Sequence, residues 1–223
     1  MQFDIEPRFV TFDMNGTLIR FRINDAIRAT LGSRLPDEVA DDFLRACKVY
    51  RVDECLGEYQ SFLDVVGSSL ARATHRFGIE AHEGDAKAVY DQIPTWGPYP
   101  GVTDALNRLA ASYPLVIVTN SDNAHAAQLV DNLRAPFDTV ITAEEMGVYK
   151  PRLRAFEYML ERLGAAPHEV VHVSASPTYD LRPAAAMGIT HKVYMDRGFE
   201  HDENWLGYER ITDIADLPVV LGA

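Results

Sequence analysis

The sequence predicts a doubly wound α/β fold, in which helices flank a parallel sheet, with a helical domain inserted after the first strand. The first observation is that short apolar runs alternate with amphipathic helical patterns, as in parallel sheets joined by helices. The second is that residues 22–93 break this alternation and contain only helical patterns. The third is that reactive polar side chains follow several apolar runs, where such sheets bind their ligands.

Five short apolar runs, each bounded by turn or cap residues, have the pattern of buried parallel strands. They occupy residues 9–12, 115–118, 139–141, 170–173 and 192–195. Apolar residues three and four apart predict helices between these runs, over residues 102–113, 124–133, 152–163 and 181–187. Because strand and helix alternate, the sheet is expected to be parallel and doubly wound.

Residues 22–93 are predicted to form an inserted helical cap. The stretches INDAIRATLG, DEVADDFLRACKVYR and YQSFLDVVGSSLARATHRFG all read as amphipathic helices. The segment IPTWGPYPGV then supplies three prolines and two glycines, which predict a stiff return linker. We therefore expect a core built from residues 1–21 and 94–223.

The composition is that of an ordinary globular protein, with 47% hydrophobic and 24% charged residues. No apolar stretch approaches the roughly 20 residues that span a bilayer, and MQFDIEPRFV lacks the basic and apolar regions of a secretory signal. These features predict a cytoplasmic protein with no membrane partner. Cys47 and Cys55 are the only cysteines, without neighbours at zinc-ligand spacing, and are expected to be free thiols.

The formal net charge of −12 argues against a nucleic-acid partner, because phosphate backbones are bound by clustered lysine and arginine side chains. A small anionic substrate is compatible with this charge, since a few local cations outweigh a distant field at contact distance. The predicted partner is therefore a small anionic molecule. Its chemistry has to be inferred from the residues of the site.

Reactive side chains follow four of the predicted strands. Asp13 ends the first, Thr119-Asn120-Ser121 follow the second, Lys150 follows the third and residues 174–180 follow the fourth. In a doubly wound sheet these carboxyl ends converge on one crevice. A carboxylate there can attack an electrophilic carbon or phosphorus and form an ester that water later cleaves. A nearby lysine would keep it ionised, while hydroxyls and amides would hydrogen-bond an anionic substrate.

Each of these side chains also has a structural alternative. Asp13 and Asp180 can accept turn or helix-cap hydrogen bonds, and Thr119 and Asn120 can cap the following helix. A structural role suits Lys150 less well, because the dipole of the helix that follows it disfavours a cation. Three histidines are expected to be structural or solvated and not catalytic: His125, His172 and His191.

Four motifs, in this order, identify the chain as a member of the haloacid dehalogenase superfamily over nearly its whole length. FDMNGTL resembles the first motif, VTNSD the second, the lysine of GVYKP the third and HVSASPTYD the fourth. The resemblance implies a Rossmann-like core with an inserted helical cap. It also implies a hydrolase whose nucleophile is Asp13.

Asn15 separates this chain from the usual phosphatases of the superfamily. Those enzymes carry a second aspartate at this position as general acid and base, and they bind magnesium with acidic residues of the fourth motif. An amide cannot shuttle a proton, and the fourth motif here offers Asp180 alone. The chain resembles instead the type II 2-haloacid dehalogenases, in the segments AEEMGVYKP, HVSASPTYDLRPAAAMGI and KVYMDRG. Those enzymes work without metal and usually carry tyrosine at the position of Asn15. The resemblance therefore implies no cofactor, with Mg²⁺ needed only if the phosphatase alternative holds.

By that resemblance, Asp13 would displace halide from the α-carbon of a short 2-haloacid with inversion, and water would then cleave the ester. Lys150 would keep Asp13 ionised, and Asp180 would help to activate water. Further residues complete the implied site: Thr17 and Ser174 support the nucleophile, Thr119 and Asn120 bind the substrate carboxylate, Ser176 and Asn15 line the substrate, and Arg51 of the cap contacts the leaving halide.

Three functions stay open from the sequence. The first is a metal-independent hydrolase acting at the α-carbon of a 2-haloacid, or of a strained cyclic amino acid such as azetidine-2-carboxylate. The second is a magnesium-dependent phosphatase or phosphonatase, and the third is a non-catalytic binding protein. The joint presence of Asp13, Lys150 and Asp180 argues against the third. Because type II relatives are often dimers, the resemblance also implies a homodimer.

Overall fold

A computed structural model describes residues 7–222, so part of the segment read for a secretory signal lies outside the described residues. Its strands form one six-stranded parallel sheet: β1 Phe9–Phe12, β2 Leu115–Thr119, β3 Thr139–Thr142, β4 Val170–Ser174, β5 His191–Met195 and β6 Glu209–Ile211. The strand order is β3-β2-β1-β4-β5-β6. Because the order reverses between β1 and β4, the sheet is doubly wound, and the predicted fold class is confirmed.

The strands form where β-branched residues can be buried on both faces of the sheet. LVIVT of β2 and VVHVS of β4 are buried along their whole length, as expected for central parallel strands. The five predicted strands are present within one residue of the expected bounds. The sequence pattern misses β6, because ERI at the edge of the sheet carries two charged residues.

The chain divides into two compact units. One contains the chain up to Arg20 and from Gly97 onward, and the other is Phe21–Trp96. Four α-helices lie among the described residues of the second unit: α1 Ile23–Leu31, α2 Asp37–Leu56, α3 Phe62–Phe77 and α4 Asp85–Tyr90. This unit contains residues 22–93, whose function as a cap stays a prediction. The sequence pattern did not predict α4.

Apolar faces and caps explain the helices of the second unit. The Ser61 hydroxyl caps α3 by accepting a hydrogen bond from the Asp64 N–H at 3.1 Å. Gly78 ends the helix with a φ of 65°, a left-handed conformation that favours glycine. Phe43 of α2 and Phe77 of α3 pack edge to face, with ring centroids 5.6 Å apart. These contacts join the two longest helices of the unit.

The helices of the first unit connect the parallel strands: α5 Val102–Ala110, α6 Asn123–Leu133, α7 Ala143–Met146, α8 Leu153–Leu163, α9 Arg182–Ala186 and α10 Leu217–Leu221. Two predicted bounds are wrong. The helix expected over 102–113 ends at Ala110, because the residue before Pro114 is disfavoured in a helix. The helix expected over 181–187 is shorter, since a π-helical turn occupies Pro177–Leu181.

Packing against the sheet explains why α8 forms where it does. Phe156 and Met159 of this helix are fully buried against Val116, Val118 and Ile141 of the neighbouring strands. The opposite side of α8 carries charged residues, as expected for a helix lying on a sheet. Among the described residues, no helix is both long and apolar enough to cross a membrane.

Candidate active site

Asp13 lies directly after the central strand β1. Its N–H still donates to the Val173 carbonyl of β4, at 3.0 Å, and the chain then turns back, with the Ile19 N–H bonded to the Met14 carbonyl at 2.9 Å. Gly16 within this turn has a φ of 96°. The strand therefore ends at Asp13 and leaves its carboxylate, only 8% exposed, at the carboxyl edge of the sheet.

Lys150 joins three strand ends through its ammonium group. Nζ donates to Asp13 Oδ1 at 3.0 Å, to Asp180 Oδ1 at 2.7 Å and to the Val118 carbonyl of β2 at 2.7 Å. An ammonium group has three N–H donors, so these bonds use all of them. The side chain is 1% exposed, and its charge acts in a medium that screens little.

Asp180 lies in the π-helical turn after β4 and is fully buried. Its Oδ1 contacts both Lys150 Nζ and, at 3.0 Å, His172 Nε2. Its Oδ2 has no hydrogen-bond partner in the described part of the chain. Asp180 therefore keeps one carboxylate oxygen available as a hydrogen-bond or proton acceptor.

His172 is a member of this cluster that the sequence analysis did not assign to it. Its Nε2 contacts Asp180, and its Nδ1 lies 2.8 Å from the Thr11 hydroxyl of β1. The ring is fully buried on β4. A usable signal exists in the sequence, because His172 is the one ionisable residue in the apolar strand VVHVS. Its contacts agree with the expected structural role and add an orienting bond to Asp180.

The pKa values of the two carboxyl groups in the cluster are shifted in opposite directions. Burial raises the pKa of Asp13 above its usual value; the Lys150 charge opposes this and the Asp180 charge adds to it. Burial acts the same way on Asp180, but Lys150 and the hydrogen bond with His172 outweigh it and lower its pKa. Burial lowers the pKa of Lys150, yet both carboxylates bring it above its usual value. Lys150 therefore stays charged, and Asp13 is protonated before Asp180 as the pH falls.

Thr17 links the loop after β1 to the loop after β4. Its hydroxyl donates to Asp13 Oδ2 at 2.6 Å and accepts from the Ala175 N–H at 2.8 Å. With Lys150 on Oδ1, both oxygens of Asp13 are held, so the carboxylate has one orientation. The structure thus brings together the four residues predicted to be catalytic: Asp13, Thr17, Lys150 and Asp180.

Asn15 belongs to a short chain of polar side chains beside Asp13. Its Nδ2 donates to the Ser121 hydroxyl at 3.0 Å, which lies 3.1 Å from the Thr119 hydroxyl. Asn15 Oδ1 is buried and has no hydrogen-bond partner among residues 7–222. The amide therefore presents an unpaired acceptor two residues along the chain from Asp13. Substrate contacts of Asn15 and Thr119 stay predictions.

Three other predicted site residues use their side chains in hydrogen bonds within the protein: Asn120, Ser174 and Ser176. Asn120 Oδ1 accepts from the Lys150 N–H and its Nδ2 donates to the Lys150 carbonyl, both at 2.8 Å. The Ser174 hydroxyl accepts from the Ser176 N–H at 2.9 Å, and the Ser176 hydroxyl donates to Glu200 at 3.2 Å. These bonds support the loops of the site. Substrate contacts of Asn120 and Ser176, and support of the nucleophile by Ser174, stay predictions.

A loop after β5 also holds the site, and the sequence analysis did not assign it a function. Arg197 Nη2 donates to the Thr17 carbonyl at 3.0 Å, while the guanidinium lies over the Tyr99 ring, 4.0 Å from its centroid. Glu200 accepts from the N–H and hydroxyl of Thr178, at 3.1 and 2.8 Å. The loop thus contacts the two segments that carry Asp13 and Asp180.

Arg51 lies in the helical unit, on the face of α2 that also carries Cys47 and Cys55. It is 6% exposed, and its Nη1 has no hydrogen-bond partner among the described residues. Burial raises the pKa of the Cys47 thiol to about 11 and that of Cys55 to about 12, and neither forms a disulfide. Both cysteines are free thiols as predicted. Halide contact by Arg51 stays a prediction.

The side chains present do not fit a magnesium site. Within residues 7–222, no group of three or more histidine, cysteine, aspartate or glutamate side chains is arranged to hold a metal ion. Lys150 and Thr17 bind the two oxygens of Asp13, and Lys150 also binds Asp180. An ammonium ion therefore occupies the centre of the carboxylate cluster.

Comparisons with known proteins agree with this geometry. A family profile described as hydrolase, haloacid dehalogenase-like hydrolase, matches residues 7–188. The (S)-2-haloacid dehalogenase 1 of Pseudomonas sp. (strain CBS-3) is 26% identical over 171 residues, which cover 74% of each chain.

Two solved structures share the fold. An L-2-haloacid dehalogenase from Xanthobacter autotrophicus with chloropropionic acid covalently bound has a TM-score of 0.75 at 21% identity, covering 96% of this chain and 98% of that one. The HAD-hydrolase YfnB from Bacillus subtilis, bound to magnesium, has a TM-score of 0.82 at 19% identity, covering 98% and 100%. At these identities the similarity concerns the fold alone.

Proposed function

The chain belongs to the haloacid dehalogenase-like hydrolases, and we propose that it is a metal-independent hydrolase that removes halide from small 2-haloacids. The observation that carries this proposal is that Asn15, two residues after the buried and Lys150-paired Asp13, is an amide where the phosphatases of the superfamily carry their proton-shuttling aspartate. The similarity to (S)-2-haloacid dehalogenase 1 supports the same substrate class.

In the first step, an oxygen of Asp13 attacks the α-carbon of the haloacid. The new carbon–oxygen bond forms as the carbon–halogen bond breaks, halide leaves with the bonding pair, and the α-carbon is inverted. Lys150 and Thr17 hold the carboxylate in one orientation, which lowers the entropic cost of reaching the attack geometry. Lys150 also opposes the effect of burial, which raises the pKa of Asp13 and favours its unreactive neutral form.

In the second step, water attacks the carbonyl carbon of the Asp13 ester. Asp180 Oδ2, the carboxylate oxygen without a hydrogen-bond partner among the described residues, accepts a proton from this water. The lowered pKa of Asp180 keeps the carboxylate available as an acceptor over a wide pH range. The ester then yields a 2-hydroxy acid and regenerates Asp13, so that one water is consumed and one halide and one proton are released.

Substrate selection is assigned in this proposal to the helical unit and the ends of β2. In this proposal Thr119 and Asn120 bind the substrate carboxylate, and the Arg51 guanidinium contacts the leaving halide. Ser176 lines the substrate-binding site in this proposal. Exchange of crevice-facing residues within 22–93 should change the relative rates among substrates, because strand ends supply chemistry but little apolar enclosure.

A second candidate, ring opening of a cyclic amino acid such as azetidine-2-carboxylate, is favoured by one observation. Asn15 Oδ1 is a buried acceptor without a partner among residues 7–222, and a ring N–H is the donor that such a substrate would bring. The attack of Asp13 on the α-carbon would be the same: the carbon–oxygen bond forms as the bond to the protonated ring nitrogen breaks, and the nitrogen keeps the bonding pair as the neutral amine of the opened chain. Simple 2-haloacids carry no donor at the α-carbon, so the two substrates differ in their use of Asn15.

A substrate screen in the presence and absence of EDTA tests the proposal. The panel contains chloro-, bromo- and fluoroacetate, both enantiomers of 2-chloropropionate, azetidine-2-carboxylate and phosphate esters. We expect halide release from a 2-haloacid that EDTA does not reduce. Activity on phosphate esters alone, lost with EDTA and restored by magnesium, would contradict the proposal.

Single turnover in ¹⁸O-labelled water tests the covalent step. Because water attacks the enzyme ester and not the substrate, the first product should be unlabelled and the label should appear in Asp13. Asp13→Asn has nearly the same volume and should abolish turnover without loss of fold, which thermal unfolding can check. Label in the product of the first turnover would exclude the ester.

A further inference from the structure

Residues at the end of β2 form hydrogen bonds with the main chain of Lys150 as well as with its ammonium group. The Val118 carbonyl accepts from Lys150 Nζ, and two residues later the Asn120 amide pairs with both main-chain polar groups of the same lysine. Both hydrogen bonds of the Asn120 amide are 2.8 Å long and join residues 30 positions apart in the sequence. The Asn120 side chain thus fixes the backbone from which the Lys150 side chain extends.

The Asn120 amide forms both of these hydrogen bonds within the protein. Its oxygen accepts from one N–H and its nitrogen donates to one carbonyl, so both ends of the amide are directed at Lys150. Loss of the amide would leave the N–H and the carbonyl of Lys150 unpaired in a half-buried loop, which favours a shift of the loop. A shift of Lys150 by a fraction of an ångström would lengthen its bond to Asp13.

We propose that Asn120 is a positioning residue that acts through Lys150, whose main chain its side chain holds on both sides. This inference goes beyond the substrate contact expected of Asn120 from the sequence. Its consequence for turnover rests on the proposed function, in which Lys150 serves Asp13. Its consequence for the geometry of Lys150 does not, so the two can be tested separately.

The ionisation of Asp13 reports on Lys150 without any substrate. In protein labelled with ¹³C at the aspartate carboxyl groups, the Asp13 signal is assigned by its loss in Asp13→Asn and is titrated by NMR. Asn120→Leu keeps much of the volume and removes both hydrogen bonds, and Asn120→Ala is a second variant in case the first does not fold. With Lys150 displaced, the pKa of Asp13 should rise by about 1 pH unit.

A matched control is available three residues along the chain. Asn123 accepts a hydrogen bond from the Thr142 hydroxyl at 2.6 Å, and none of its described bonds involves Lys150. Asn123→Ala also removes an asparagine amide and should leave the pKa of Asp13 unchanged. An unchanged pKa in the Asn120 variants, or the same rise in Asn123→Ala, would overturn the inference.

Steady-state kinetics on 2-chloropropionate separate positioning from substrate binding. For a positioning residue, kcat should fall about tenfold or more while KM stays within about twofold. A large rise in KM at constant kcat would assign the side chain to the substrate and overturn the inference. If the wild-type protein hydrolyses no haloacid, the proposed function fails, but the NMR titration still decides the function of Asn120.

Discussion

Two lysines are buried in the unit that contains the sheet, in opposite electrostatic surroundings. Lys150 is 1% exposed and contacts the carboxylates of Asp13 and Asp180. Lys192 of β5 is 4% exposed, and its described bonds go to the main-chain carbonyls of residues 189 and 190, at 2.7 and 3.3 Å. Burial lowers the pKa of both, but only Lys150 has carboxylates that reverse the effect.

The difference shows that burial alone does not identify a functional lysine. Carbonyl dipoles accept two hydrogen bonds from Lys192 but do not neutralise its charge, so its buried ammonium group disfavours folding. Two carboxylates make Lys150 a fixed cation, whose charge is available to the nucleophile. The partner of a buried charge therefore decides whether it serves chemistry or local structure.

The largest expected effect comes from removing each lysine charge in turn. Lys150→Met should lower kcat/KM on a 2-haloacid by about 10³-fold, because Asp13 loses the charge that favours its ionised form. Lys192→Met should keep kcat/KM within about twofold, since Lys192 is the strand partner of His172 but its described side-chain hydrogen bonds go only to the main-chain carbonyls of residues 189 and 190. Initial rates of halide release for both variants measure the contrast. Equal losses of kcat/KM in the two variants would mean that the carboxylate partners of Lys150 do not make it more important for activity than Lys192.

A second prediction sharpens the contrast by giving Lys150 one carboxylate in place of two. Asp180→Asn removes a negative charge that raises the pKa of Asp13 and leaves the Lys150 charge to Asp13 alone. The pKa of Asp13 should fall, so the acid limb of first-turnover halide release should move down by about 1 pH unit. Rapid-quench measurements of the first turnover avoid the slow hydrolysis expected without Asp180. A limb that moves up would contradict the assignment.

The smallest expected effect concerns stability and Lys192. Because its pKa is lowered in the folded state, the unfolded chain binds more protons between the two pKa values, and stability rises with pH in that window. The free energy of unfolding of the wild type, relative to Lys192→Met, should therefore increase toward pH 10, by at most about 1.4 kcal/mol per pH unit. Urea unfolding of both proteins from pH 7 to 10 measures this difference. A decrease with pH would contradict the expected direction.

Local pattern was sufficient to predict most of the fold. Five of the six strands and the doubly wound fold class follow from apolar runs that alternate with helical periodicity, since both are properties of neighbouring residues. The same reasoning failed at β6 on the sheet edge, where two of the three residues are charged, and at the π-helical turn Pro177–Leu181. In these two places tertiary contacts outweigh local preference.

The sequence by itself determined the family, the fold class and the three residues that meet around Asp13, because strand-end position and motif order can both be read along the chain. Only the tertiary structure decided their partners: His172 on Asp180, the Asn120 amide on the Lys150 backbone, and carbonyls instead of carboxylates around Lys192. The physical reason is that pairing of buried polar groups depends on contacts between segments tens of residues apart, which no local pattern encodes.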